Sequence, residues 1–190
     1  MADKTGTSRG TSAAPTAATP AAIRNVVLVG PPGSGKTTLV EAMLVSAGML
    51  ARAGCVAEGT TVCDYDESEL RQQRSVAVAC ASLAHDGVKV NLIDTPGYAD
   101  FLGDLRAGLR AADCALFVIA ANDHLDDSAT ALWRECGRAA MPRAVVVTKL
   151  DHPRADFAGQ LQAASTAFGH EVLPMYVPGP AGDPGVIGLL

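Results

Sequence analysis

Positive charge is not in excess in this sequence, since 15 Lys and Arg residues stand against 20 Asp and Glu residues and the net charge is −5. A protein that binds nucleic acid without sequence preference needs a basic surface to displace counterions, so we expect no free nucleic-acid binding. No run of about 18 apolar residues occurs, and we therefore expect no transmembrane helix and no membrane partner. Residues 1–22 also lack the apolar centre of a secretory signal, so we expect a disordered N-terminal tail at 1–22.

Cysteine and histidine are present but do not have the spacing of a disulfide framework or a metal site. The five cysteines include no C-x-x-C pair, and the four histidines are scattered along the chain. Unpaired thiols of this kind are typical of a reducing compartment, so we predict a cytoplasmic protein. The length of 190 residues and the apolar fraction of 48% fit one domain with a full hydrophobic core, which we expect to be monomeric.

Short β-branched and apolar segments alternate with segments of helical periodicity. Such alternation predicts an α/β fold with a mostly parallel sheet and helices on both faces. Asp86-Gly87 favours a hairpin turn, which adds one antiparallel edge strand. The predicted strands are 23–29, 76–80, 88–93, 115–120, 144–147 and 172–177. The predicted helices are 38–49, 101–109, 129–140 and 156–168, and 51–75 is predicted to be a long functional loop.

A glycine-rich motif of the form G-x-x-x-x-G-K-T lies between the first predicted strand and the first predicted helix. Its glycines let the backbone curl so that N–H groups point at phosphate oxygens, and the helix adds the partial positive charge of its N-terminus. We expect the Lys36 ammonium to bind the β and γ phosphates and the Thr37 hydroxyl to bind Mg²⁺. The motif comprises Gly30, Pro31, Pro32, Gly33, Ser34, Gly35, Lys36 and Thr37.

A second motif, Asp94-Thr95-Pro96-Gly97, directly follows the predicted strand 88–93. A carboxylate at the end of a strand beside the phosphate-binding loop can hold Mg²⁺, directly or through water. Gly97 would let its backbone N–H approach the γ-phosphate with no side chain in the way. The two motifs together predict a P-loop nucleoside triphosphatase fold with a magnesium–nucleotide site.

A third motif, Thr148-Lys149-Leu150-Asp151, follows the predicted strand 144–147. The Asp151 carboxylate can accept hydrogen bonds from N1 and N2 of guanine, and adenine lacks this pair of donors. An unpaired buried partner gives steep discrimination, so the motif favours GTP and GDP over ATP. The Lys149 stem can lie along the plane of the base. The glycine-rich motif alone also suits ATP-using proteins, so a P-loop ATPase or small kinase stays open as an alternative.

In this order and spacing, the motifs resemble those of translational GTPases, in particular elongation factor G. The resemblance runs from about 25 to 177 and is carried most specifically by the segments 58–64, 90–101 and 110–115. It implies a GTP-binding G domain at 23–177 and a possible contact with the ribosome. It also implies a first switch at 58–78 and a second switch from 94 to about 104, both held by the γ-phosphate and Mg²⁺.

The resemblance further implies roles for individual residues. Residues 33–38, including Thr38, would wrap the phosphates, and Thr37 with Asp94 would bind Mg²⁺. The guanine base would be bound at Thr148, Lys149 and Asp151. Catalysis would involve Lys36, Gly97 as the sensor of the γ-phosphate, and the residue that follows it, Tyr98.

Four positions depart from the pattern of that family. Tyr98 stands in place of the usual His, and a phenol with a pKa near about 10 cannot accept a proton at neutral pH as an imidazole can. Gly33 stands in place of an Asp, Ala77 in place of a Mg²⁺-binding Thr, and Thr148 in place of an Asn. Thr60, Thr61 or Ser75 could supply the missing hydroxyl of the first switch. We therefore predict tight GTP binding, slow intrinsic GTP hydrolysis and a weakened link between the guanine site and the P-loop.

The family's fifth guanine motif, a Ser-Ala pair, does not follow the last predicted strand. We accordingly expect an incomplete G domain, with 178–190 forming the start of an inserted subdomain or a frayed C-terminus. Two further alternatives remain at this point: a switch module that binds nucleotide without turnover, and a fragment without function.

Overall fold

The computed structural model describes residues 14–63, 77–180 and 185–189, which form a five-stranded sheet with helices on both faces. The sheet order is β2-β3-β1-β4-β5, with β2 antiparallel to β3 and every other pair parallel. This is the predicted P-loop fold with one antiparallel edge strand. The strands are β1 (Ile23–Val29), β2 (Ala79–His85), β3 (Val88–Asp94), β4 (Cys114–Ala120) and β5 (Arg143–Thr148).

In the described part of the chain, four helices cover the sheet: α1 (Lys36–Ser46), α2 (Leu102–Ala111), α3 (Asp127–Arg138) and α4 (Phe157–Phe168). Alternate residues of β1 point to opposite faces, so Val27 and Val29 pack with α2, α3 and α4, whereas Leu28 packs with α1. Among the described helices, none has the length and apolarity needed to cross a membrane.

The helices that pack on one face are fixed by caps and aromatic contacts. The Asp126 carboxylate accepts the Ala129 N–H at 2.8 Å at the start of α3, and Asp156 caps α4 in the same way. The Trp133 ring stacks on Phe168 with 4.4 Å between ring centroids. These contacts tie α3 and α4 together beside β4 and β5, the strands that lead to the predicted guanine motif.

Several predicted boundaries are wrong. The helix α1 begins two residues earlier than 38 and ends before Gly48, whose φ of 70° is left-handed. The strand β2 spans Ala79–His85 rather than the predicted 76–80. It pairs with the full length of β3, from Ala79 opposite Asp94 to His85 opposite Val88. Of the predicted loop 51–75, residues 64–75 lie outside the described residues. Of the predicted disordered tail 1–22, residues 1–13 lie outside the described residues, and Pro20–Ala22 form a single 3-10 turn directly before β1.

Only the last two residues of the predicted strand 172–177 lie in a strand. The structure instead has a short strand β6 (Tyr176–Pro178) paired with β7 (Val186–Gly188) in a separate two-stranded sheet. Residues 172–175 form no strand, and the main sheet of the described residues has five strands. Val172 packs on the core without β-pairing, whereas Leu173 and Met175 are exposed.

Candidate functional site

The glycine-rich loop bends sharply between the end of β1 and the start of α1. Gly35 is the residue before the first helical turn and has a left-handed φ of 92°. A side chain is strained in this conformation, and a Cβ atom there would also lie 3.4 Å from the Thr148 hydroxyl. Glycine at this position therefore lets the loop curl around the N-terminus of α1, where backbone N–H groups can bind an anion.

The Lys36 side chain lies inside this loop and is only 7% exposed. Its ammonium group donates hydrogen bonds to the Gly30 carbonyl at 2.9 Å and the Pro31 carbonyl at 3.1 Å. Burial lowers the pKa of Lys36 to about 8, and attraction to Asp94 partly opposes this shift. An anion bound in the loop would compensate the buried charge, which is what a phosphate group would supply.

Thr37 and Asp94 meet at the carboxyl edge of the sheet. The β1–β3 register sets Asp94 opposite Leu28, close to the start of the loop. The Thr37 hydroxyl donates to the Asp94 carboxylate at 2.6 Å, and both side chains are buried. A hydroxyl and a carboxylate oxygen this close together fit Mg²⁺, which prefers oxygen ligands and takes the rest from phosphates and water. No group of three or more His, Cys, Asp or Glu suited to a metal occurs in the described parts of the chain.

The segment after Asp94 lies directly against the glycine-rich loop. A Cβ atom on Gly97 would fall 2.7 Å from the Lys36 Nζ atom and the Pro32 nitrogen, and 2.8 Å from the Gly30 oxygen. Gly97 therefore makes a close approach that no side chain permits. Tyr98, the next residue, is half-buried and precedes a single 3-10 turn that leads into α2.

Thr95, within the same segment, was not singled out by the sequence analysis. Its hydroxyl donates to the Leu28 carbonyl at 2.6 Å, and the residue is fully buried. Its methyl group packs against Gly108 of α2, where a Cβ atom would lie 2.9 Å away. Thr95 thus joins β1 to α2 beneath Gly97. The signal in the sequence was its place between Asp94 and Gly97, but nothing in the pattern distinguished a structural Thr from a turn residue.

The third motif reaches the glycine-rich loop from β5. The Thr148 hydroxyl lies 2.6 Å from the Ser34 carbonyl and 3.1 Å from the Ile119 carbonyl. Lys149 adopts a left-handed φ of 57°, and both Lys149 and Asp151 are exposed in the turn that follows. The structure therefore brings Thr148 against the loop, and Asp151 lies three residues further along the same turn.

A buried glutamine holds the neighbouring segment at the end of β4 and was missed from the sequence. The Gln160 amide of α4 donates to the Ala120 carbonyl at 3.0 Å and also to the Asp123 carbonyl. The Ala121 N–H donates to the Thr148 carbonyl at 2.8 Å, which joins the end of β4 to the end of β5. The available sequence signal for Gln160 was a polar residue on the apolar side of a helical pattern.

Part of the predicted first switch falls within the described residues. Thr60, one candidate for the missing Mg²⁺ ligand, accepts a hydrogen bond from the Cys55 N–H at 2.8 Å through its hydroxyl. Thr61, the second candidate, is buried with 4% exposure. Ser75, the third candidate, lies outside the described residues, whereas Ala77 is described and exposed.

Comparison with known proteins places these features in context. The sequence matches the elongation factor Tu GTP binding domain over residues 21–178. An elongation factor G-like protein of Mycobacterium tuberculosis (strain H37Rv) is 65% identical over all 190 residues, which cover 26% of that protein. Elongation factor G of Chlamydia trachomatis serovar D is 31% identical over 157 residues, covering 83% of this chain and 23% of that protein.

A solved structure agrees with the sequence comparisons. A crystal structure of a protein from Thermus thermophilus superposes with a TM-score of 0.81 at 40% sequence identity, over 87% of this chain and 25% of that chain. The present chain therefore spans about a quarter of the length of the relatives it matches.

Proposed function

The chain belongs to the elongation factor Tu GTP binding domain family, and from this premise we propose that it binds GTP and GDP with Mg²⁺ and hydrolyses GTP slowly. The observation that carries the proposal is the contact of Thr37 with Asp94 beside the buried Lys36. Hydroxyl, carboxylate and ammonium groups converge there on the N-terminus of α1, which is the arrangement that a magnesium–phosphate complex requires. The bound metal ion would screen the negative charge of the phosphates.

Each proposed role follows from where the residue lies. Lys36 neutralises the β and γ phosphates, and Thr37 and Asp94 hold Mg²⁺. The phosphates are wrapped by Gly30, Pro31, Pro32, Gly33, Ser34, Gly35, Lys36, Thr37 and Thr38. Gly97 brings its N–H to the γ-phosphate, which its contact with the loop supports. Thr148, Lys149 and Asp151 hold guanine, which is supported by the hydrogen bond between Thr148 and Ser34.

Slow hydrolysis follows from what occupies the catalytic positions. A phenol such as that of Tyr98 can orient a water molecule by hydrogen bonding but cannot take its proton at neutral pH. Gly33 brings no carboxylate to the loop, and Ala77 brings no hydroxyl to Mg²⁺. Lys36 and Gly97 would still stabilise charge on the γ-phosphate, so some hydrolysis is retained.

Competition between labelled GDP and unlabelled GTP, GDP or ATP tests the nucleotide assignment. We expect GTP and GDP to compete at least about a hundredfold better than ATP, because adenine cannot donate the pair of hydrogen bonds that guanine N1 and N2 can give to the Asp151 carboxylate. Thr37→Val is the matched variant for the metal, because it keeps the shape of Thr37 and removes the hydroxyl. It should weaken binding only when Mg²⁺ is present. Equal or better competition by ATP would overturn the guanine assignment.

The remaining parts of the proposal concern the whole protein. An elongation factor G-like role implies a contact with the ribosome, and a cytoplasmic location fits the five free thiols of the chain. Both depend on regions of the longer relatives that this chain does not span. GTP hydrolysis by a full-length protein with and without ribosomes would test the partner, and a rate unaffected by ribosomes would count against it.

A further inference from the structure

One buried carboxylate lies next to the nucleotide site and is not used by the mechanism proposed above. Glu41 is in α1, five residues after Lys36, and its side chain is completely buried. Burying an ionised carboxylate is costly unless hydrogen bonds replace its water. Both of its oxygens have such bonds: one accepts the Gly54 N–H at 2.7 Å, and the other accepts the Val62 N–H at 2.5 Å.

These two hydrogen bonds hold the two ends of one loop, which runs from 54 to 62. The loop is also closed on itself, because the Cys55 N–H donates to the Thr60 hydroxyl at 2.8 Å and the Thr60 N–H donates to the Cys55 carbonyl at 3.1 Å. Gly54 approaches Thr60 so closely that a Cβ atom would lie 2.2 Å from the Thr60 oxygen. The loop is therefore a compact unit that one side chain of α1 attaches to the domain.

The attachment point connects this loop to the phosphate-binding end of the same helix. Thr37 lies one turn before Glu41, so a rigid helix joins the Mg²⁺-binding hydroxyl to the loop. Immediately after the loop, Cys63 is buried in the same apolar cluster as Val40 and Leu44 of α1. A shift of the helix end would thus be carried to the loop without an intervening flexible segment.

We propose that Glu41 is a positioning residue: it fixes the start of the first switch relative to the phosphate-binding end of α1, and this sets the preference for GTP over GDP. The inference rests on the proposed function, because the first switch responds to the γ-phosphate only if the site holds a guanine nucleotide. GDP lacks that phosphate and does not require the loop to be in place. Loss of the attachment should therefore weaken the binding of GTP more than that of GDP.

Glu41→Gln tests the proposal with little change of shape. The glutamine carbonyl can accept only one of the two backbone N–H groups, and its NH₂ group faces the other. The matched control is Glu58→Gln, which removes the same charge from an exposed position of the same loop. Gly54→Ala is the second variant: its Cβ atom would clash with the Thr60 oxygen, so it displaces the loop while leaving the Glu41 side chain unchanged, and it serves if Glu41→Gln fails to fold.

Two measurements are needed on the wild type and the variants: hydrogen exchange of the Gly54 and Val62 amides, and the ratio of the dissociation constants of GDP and a non-hydrolysable GTP analogue. In Glu41→Gln we expect the Gly54 and Val62 amides to exchange at least about tenfold faster than in the wild type. The dissociation constant of GDP divided by that of the GTP analogue should be at least about fivefold lower, because only the analogue binds more weakly, and the affinity for GDP should stay within about twofold of the wild type. Gly54→Ala should give the same pattern, and Glu58→Gln should match the wild type.

An unchanged ratio in both Glu41→Gln and Gly54→Ala would overturn the inference. An equal loss of GDP and GTP-analogue affinity would also overturn it, because a merely structural role destabilises the whole site. If the wild type binds neither nucleotide, the proposed function itself fails. If it binds both and the variants do not alter the ratio, only the role of Glu41 fails.

Discussion

Replacing Gly97 by alanine should impair the response to the γ-phosphate while leaving GDP binding intact. The added Cβ atom would lie 2.7 Å from the Pro32 nitrogen and 2.8 Å from the Gly30 oxygen, both of which are backbone atoms that cannot rotate away. Restoring ordinary contact distances requires the segment to withdraw from the loop by about 0.7 Å. A misplacement on the order of 1 Å can cost about a hundredfold in rate, so we expect single-turnover GTP hydrolysis to fall between about tenfold and a hundredfold.

Gly103→Ala is the matched control for this prediction. Gly103 lies in α2, six residues further along the same segment, and a Cβ atom there would meet nothing within 4 Å. Alanine at this helical position should be neutral or stabilising, with hydrolysis at the wild-type rate. Because GDP lacks the γ-phosphate, its affinity should stay within about threefold of the wild type in both variants. Wild-type hydrolysis by Gly97→Ala, or an equal loss in Gly103→Ala, would refute the reasoning.

Three further predictions concern catalysis, protonation and stability. Tyr98→His should raise single-turnover GTP hydrolysis by at least about tenfold, because an imidazole can accept a proton from water near neutral pH, and rapid hydrolysis by the wild type would contradict this. Phosphate binding favours charged Lys36, whose pKa in the free protein is about 8. Nucleotide dissociation constants measured by calorimetry should therefore rise about fourfold from pH 7 to pH 8.5. In Lys36→Arg they should not change with pH, because arginine stays charged. Dissociation constants of the wild type that do not change with pH would exclude the titration of Lys36. Hydrogen bonds from the Ala129 N–H and the Ser128 hydroxyl lower the pKa of Asp126. Asp126→Ala should then cost about 1 kcal/mol in urea unfolding at pH 7, with the difference shrinking below about pH 4, where the wild-type carboxylate also loses its charge. Asp126→Asn should keep most of this stability at pH 7, and an equal loss in both variants would point to a cause other than the cap.

The order of the elements was predictable because it depends on local patterns. Alternating strands and helices imply a parallel sheet, and Asp86-Gly87 implies the hairpin that adds β2, where Asp86 has a left-handed φ of 46°. The predicted strand 172–177 began too early because a run of apolar residues looks the same whether or not each residue forms β-pairs. Boundaries failed for a related reason, since β2 extends as far as its partner β3 allows.

The residues of the proposed site were likewise predictable only where they belong to local sequence motifs. Lys36, Asp94 and Gly97 were found because they occur in short contiguous motifs whose spacing reflects one chemistry. Glu41 and Gln160 were missed because their partners are distant backbone groups, brought near only by the folded chain. A polar residue in an apolar helical pattern signals that such a partner exists but does not identify it. The sequence therefore predicts which groups line the proposed nucleotide site better than which groups hold them in place.

Thr148 makes such a supporting contact with a single hydroxyl group. Its hydroxyl lies within hydrogen-bond distance of two carbonyls, those of Ser34 and Ile119. A hydroxyl has one proton and can donate to only one acceptor at a time, whereas the amide of an asparagine carries two N–H donors. The shorter distance favours donation to Ser34, which leaves the Ile119 carbonyl with the weaker interaction. One hydroxyl therefore cannot donate to the Ser34 carbonyl and to the Ile119 carbonyl at the same time, as the amide of an asparagine could, whereas backbone pairing and the hydrogen bond from Ala121 to Thr148 still join β4 to β5.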